Sequence, residues 1–80
     1  MEETKTELAY RRNGDLEVAL LWSRLTGRVA VAVSDLASGE AFVLPVAPQV
    51  ALDAFYHPYA HAARSSPVRF RLAAARASSY

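Results

Sequence analysis

The chain contains no cysteine. Disulfides and thiolate metal centres are therefore excluded, and packing alone must hold the fold. That is demanding at 80 residues, close to the size below which small domains need covalent or metal staples. A cysteine-free chain also fits a reducing compartment. Glycine is scarce: Gly14, Gly27 and Gly39 are all there is, each between patterned segments, and no phosphate loop or dinucleotide fingerprint can be built from them. Long hydrophobic runs are missing as well; none approaches the ~20 residues that a membrane helix requires. The opening MEETKTEL is acidic and polar, the wrong chemistry for a secretory leader. The expectation is a cytoplasmic protein with no membrane partner. Finally, no acid follows Asp53. Residues 64–80 carry four arginines and no acid, +4, while residues 1–63 carry five basic residues against eight acids, −3. Such a split either signals a nucleic-acid contact or means that the basic segment lies on its own body. Eight of the nine basic residues are arginine and alanine is abundant, as in proteins of GC-rich genomes, so the preference for arginine over lysine carries no functional weight.

What the chain has is apolar surface, 52% of its residues, at the high end for a soluble domain. Its arrangement is periodic. Thr6 to Arg12, Asn13-Gly14 and Asp15 to Ser23 read as a hairpin, because both central residues of a type I′ turn need positive φ and Asn-Gly supplies them. Leu16, Val18, Leu20 and Trp22 alternate with Glu17, Ala19, Leu21 and Ser23, the period of a strand. Past Thr26-Gly27, Val29, Val31 and Val33 alternate with Ala30, Ala32 and Ser34. Past Ala37-Ser38-Gly39, Phe42, Leu44 and Val46 alternate with Ala41 and Val43. Pro45 cannot donate to a ladder, so an edge or strand end is expected near it. These links predict a four-stranded antiparallel meander, order 1-2-3-4, with one bulky face and one alanine-rich face.

Pro48 suits the first turn of a helix. Leu52, Phe55, Tyr56, Tyr59, Ala60 and Ala63 then follow the spacing of one buried helical face, with Pro58 kinking the helix. The fold class is α+β: a meander with one proline-kinked helix on its bulky face. Residues 1–63 form the domain, and 64–80 a basic tail, mobile or loosely docked. Within that tail Val68, Phe70 and Leu72 alternate as in a short strand, while 72–77 could equally be helical. The expected core is Leu20, Trp22, Val31, Phe42, Leu44, Leu52, Phe55, Tyr56 and Tyr59.

The densest chemistry is DAFYHPYAHAA, residues 53 to 63. Asp53, His57 and His61 repeat at i, i+4 and i+8, one polar stripe of a helix. Two histidines at that spacing can share a zinc with a carboxylate as third ligand. No H-E-x-x-H signature is present, and the same residues also read as a solvated helix face, so no metal or other cofactor is assigned. No serine (Ser34, Ser38, Ser65, Ser66) stands in a G-x-S-x-G context, and catalysis is not expected. Arg64, Arg69, Phe70 and Arg71 interleave cations with an aromatic, as segments that track a phosphate backbone and stack a base do. Arg11, Arg12, Arg24 and Arg28 near strand ends read as solubility. The favoured reading is a non-catalytic interaction module that pairs with itself, as a homodimer, or with another protein through a sheet edge or the alanine-rich face. The alternative is a nucleic-acid-binding accessory protein.

An LLW strand, a VSD-GExF hairpin and a DAFxHPYA helix together span residues 16 to 63. In that order they resemble a group of small actinobacterial proteins. The resemblance implies that 16–63 is one folded unit in a bacterial protein. It transfers no activity and no catalytic residue.

Overall fold

Strand alternation governs the computed structural model, which describes residues 5–71. Strands β1 (Lys5–Asn13), β2 (Leu16–Ser23), β3 (Val29–Asp35) and β4 (Glu40–Val46) follow one another through short turns. A 3₁₀ turn (Pro48–Val50) leads into α1 (Ala51–Tyr56) and α2 (Pro58–Ala63), and the chain returns as β5 (Val68–Arg71). All neighbours pair antiparallel in the order β1-β2-β3-β4-β5. The expected fold class holds, but among the described residues the sheet has five strands, not four. Part of the basic segment after residue 63 is the fifth, so the sheet crosses the boundary drawn there. The alternative helix over 72–77 lies outside the described residues.

The turns show local chemistry at work. Asn13 pairs with Leu16, so Gly14 and Asp15 are the central residues, one position later than expected. Only Gly14 has positive φ, 65°, the requirement of a II′ turn rather than I′. Between β3 and β4, the Asp35 carboxylate accepts the N–H groups of Ala37 and Ser38 at 3.1 and 3.4 Å, and Gly39 closes the loop at φ 79°. Both features belong to Asx-type turns. Pro45 sits where its missing N–H does no harm: it pairs with Ala30 of β3, and β5 pairs β4 only from Glu40 to Val43.

The core lies on one face. Val18, Leu20, Val29, Val31, Val33, Phe42 and Leu44 from the strands meet Ala51, Ala54, Phe55 and Ala62 from the helices. Pro58 is buried with them. The helical stripe turned inward is thus 51, 54, 55, 58 and 62, built mainly of alanine. The expected stripe is one residue out of phase. Phe55 is common to both, but Leu52, Tyr56 and Tyr59 are 61%, 58% and 52% exposed. Small side chains let the helices seat close to a flat row of valines, which the larger stripe could not do. Trp22, also expected inside, stands near the end of β2 and is only partly covered. Nor is there one kinked helix. His57 has φ −132° and ψ 57°, which ends α1, and Pro58 starts α2 at the position that tolerates it.

Arg11 spans the gap between sheet and helices. Its partner across β1–β2 is Val18, so it points to the core face. Its Nε and Nη2 donate to the Phe55 carbonyl at 3.1 and 2.8 Å, and Nη2 reaches the Tyr56 carbonyl at 3.4 Å. The guanidinium also lies 5.4 and 5.7 Å from the Phe55 and Tyr56 ring centroids. It therefore caps the C-terminal carbonyls of α1, where a cation is favoured, and the solubility role expected for Arg11 is corrected.

Two stability predictions follow from this packing. Phe55→Ala is expected to lose about 3–5 kcal/mol, as buried phenylalanines do, while Leu52→Ala stays within about 0.5 kcal/mol. Equal losses in urea unfolding would overturn the helix phase described. Arg11→Ala is expected to lose about 1.5–3 kcal/mol, the range for hydrogen bonds made by charged groups. Arg11→Lys should recover only part of it, because an ammonium cannot fork onto one carbonyl while stacking on two rings. Full rescue by lysine would leave only a charge effect.

Candidate interaction face

The second face of the sheet is built by the same alternation as the first. Cross-strand register sorts it into three rows. The first is Glu7, Leu21, Ala30 and Pro45; the second is Tyr10, Ala19, Ala32, Val43 and Val68; the third is Arg12, Glu17, Ser34, Ala41 and Phe70. Both helices lie on the other side, and none of these residues belongs to the core cluster. The middle row is wholly apolar. Alanines form a low floor along β2, β3 and β4, flanked by Tyr10 and Leu21 on one bank and by Val43, Val68 and Phe70 on the other. Tyr10, Val68 and Phe70 are exposed. Charge is confined to β1 and β2: Glu7 lies in the first row, and Arg12 meets Glu17 at 3.4 Å in the third.

The edges are less inviting. β1 is broken by a register shift between Glu7 and Ala9, and a bulge of this kind twists an edge away from further pairing. On the opposite side, β5 offers four described residues, and the stretch of β4 beyond Val43 carries Pro45. Of the two surfaces expected to bind, the face is covered by no described element, although Ala41 within it is buried, and the edges are guarded. The alanine signal was legible in the sequence. Tyr10 and Val68 were not, because they come from the strand with the misplaced turn and from the strand read as tail.

The other candidate residues are placed as follows. Asp53 on α1 and His61 on α2 are brought together, Oδ2 to Nε2 at 2.6 Å, joining the two short helices across their break. The hydrogen bond to His61 holds the Asp53 carboxyl below its usual range, against an opposing desolvation effect, with the charges of His61, His57 and Arg64 helping. His57 lies in the break itself, exposed. Among the described residues no three His, Cys, Asp or Glu side chains converge as a metal site. Arg64 follows the last turn of α2. Arg69 lies over the Phe42 ring at 5.3 Å, and Arg71 approaches Glu40 at 3.7 Å. Phe70 pairs with Ala41 and so points to the opposite face from Arg69 and Arg71. The arginines and the aromatic that looked like one platform are divided between two sides of the sheet. No described helix is long and apolar enough to cross a membrane.

Comparison of the chain with family models, curated proteins and solved structures finds no match.

Acid should expose the Asp53–His61 link. The Asp53 carboxyl titrates below its unfolded value near 3.8. Its contribution to stability is therefore complete above that value and lost as pH falls through the lower, folded one. Melting curves of the native chain and of Asp53→Asn should differ at pH 6 and converge in the acid range below pH 3.8. A constant difference down to pH 2 would mean that the ionised carboxylate is not what stabilises.

Proposed function

We propose that the protein is a non-catalytic, cytoplasmic interaction module that forms a homodimer through the open, alanine-rich face of its sheet. The observation that carries this reading is the second row, Tyr10, Ala19, Ala32, Val43 and Val68, an uninterrupted apolar line across all five strands. A half-covered sheet is ordinary when its outer face is polar; this one is not.

Area and charge favour a second copy as the occupant. Strands ~4.8 Å apart and residues ~3.3 Å along them give the face a flat projection on the order of 400–500 Å². Two such faces, with their side-chain relief, reach the ~1,000 Å² at which specific interfaces begin. An identical face covers it completely and leaves no apolar remainder. The charges then choose the orientation. A two-fold axis in the plane of contact and perpendicular to the strands lays the middle row on its own copy and the first row on the third. Glu7 of each chain then meets Arg12 of the other. An axis along the strands would set the β1 charges against the apolar β5.

The nucleic-acid alternative through Arg64, Arg69, Phe70 and Arg71 has weaker support. A stacking platform needs its aromatic and its cations on one side, and alternation along β5 separates them. The metal alternative on Asp53, His57 and His61 is weakened in the same way, since Asp53 and His61 are engaged with each other while His57 stands in the break.

Sedimentation equilibrium of the full chain tests the proposal. The expected result is a dimer that Ala32→Glu converts to a folded monomer, checked by circular dichroism. Glu7→Arg should weaken association, and the double exchange Glu7→Arg with Arg12→Glu should restore it. A monomer at ~100 μM, far above the Kd of most specific complexes, or a dimer indifferent to Ala32→Glu, would reject this face.

A further inference from the structure

The two helices leave one corner of their own sheet face open. There α2, β4, β5 and the end of β3 enclose a half-open cleft of about 330 Å³. Its floor is Val33 and Phe42. Tyr59 forms one wall, its ring edge-on to Phe42 with centroids 5.6 Å apart. The rim is charged in a definite order. Asp35 and Glu40 are register partners on β3 and β4, and Arg71 continues that row onto β5, with Arg69 beside it over Phe42. Along the rim two carboxylates on β3 and β4 are thus followed directly by two guanidiniums on β5, with no net charge and a dipole that runs from strand to strand; one Asp35 oxygen caps the β3–β4 turn, which leaves the other for a ligand.

We propose that this cleft binds a small zwitterion of the α-amino-acid type, its ammonium toward Asp35 and Glu40 and its carboxylate toward Arg69 and Arg71. The order of charges matches such a ligand and no simple ion: an anion alone would face two carboxylates, and a cation alone two guanidiniums. The donors are available. Among the described residues, the Arg69 guanidinium and the Tyr59 hydroxyl make no hydrogen bond to a side chain or to the backbone, and Arg69 presents a planar fork suited to a carboxylate. The Arg71–Glu40 ion pair at the cleft is long and exposed, 3.7 Å with both side chains about two-thirds accessible, and such a pair yields easily to a competing ligand. Burial and the nearby Asp35 charge raise the Tyr59 hydroxyl above its ordinary range, so at neutral pH it keeps its proton and can donate. The volume is at the small end for ligand sites, which suits a molecule of amino-acid size. The cleft lies on the opposite face from the proposed dimer contact, so the two readings stand or fall separately.

The test is a nuclear magnetic resonance titration of the full chain with each of the free L-amino acids, then with N-acetylated and C-amidated forms of any that bind. The expected result is millimolar or tighter binding of at least one, with shifts centred on the amides of Phe42, Tyr59 and Arg69. Blocking either terminus should weaken binding by roughly tenfold or more, as losing a charge-assisted hydrogen bond does. Arg69→Gln and Glu40→Gln should each do the same while leaving the remaining spectrum in place, and Tyr59→Phe, which keeps the packing, serves if Arg69→Gln disturbs β5. No binding by any free amino acid, or equal binding of the blocked forms, would overturn the proposal.

Discussion

The helical layer of this protein is twelve residues long and broken in the middle, and the guanidinium of Arg11 makes that arrangement tenable. Neither α1 nor α2 has the length to be stable alone. The break at His57–Pro58 removes a donor just where the carbonyls of α1 need one. Arg11 supplies donors from the outermost strand, on the sheet's core face, and its planar group fills the space beside the Phe55 and Tyr56 rings. Asp53 and His61 then fasten α1 to α2 from the outer side. The break is therefore bracketed on both sides, by a cation on the carbonyls and by a hydrogen bond over the gap. The alanines between need only fit closely against the valines of the sheet.

That economy has a consequence for the rest of the molecule. Two short helices built around alanine cover one face of a five-stranded sheet and leave a corner near β5 uncovered. They provide nothing for the second face. A chain that is 52% hydrophobic has more apolar surface than so thin a layer can hide. The excess is not scattered: it gathers in rows that run straight across the strands, with the charges kept to β1 and β2. Scattered exposed apolar residues are normal on a protein surface, whereas a contiguous patch signals contact.

Legibility from the sequence followed the strength of each local signal. The period of two in β2, β3 and β4 is long and regular, and those strands lie where it places them. The hairpin was legible but its register was not, because Asn-Gly favours I′ while Gly-Asp at the next position satisfies II′, and local preference alone does not choose between them. With the turn one residue off, the inward direction of Arg11 was hidden. The helix was misread for a different reason. Side-chain size alone selects Leu52, Tyr56 and Tyr59 for burial, whereas close approach of a helix to a sheet selects alanine. A continuous helix would set Asp53, His57 and His61 in one stripe, whereas the break at His57 joins Asp53 to His61 and sets His57 apart. β5 is four residues long, too short for any periodicity to be decisive, and only its pairing with β4 identifies it.

The charge asymmetry of the chain takes on its meaning from that last strand. Read along the sequence, an acidic body carries a basic tail, and the tail invites an outside polyanion. Folded, Val68–Arg71 returns to the sheet beside β4, next to the acidic end of the β3–β4 hairpin. Arg71 meets Glu40 and Arg69 settles on Phe42, so two of the four tail arginines act within the domain that they seemed to extend. Alternation does the remaining work: the same four residues that bring two cations to the helix side bring Val68 and Phe70 to the other. One short strand thus completes both the polar rim of the cleft and the apolar bank of the second face, with alternate side chains given to each.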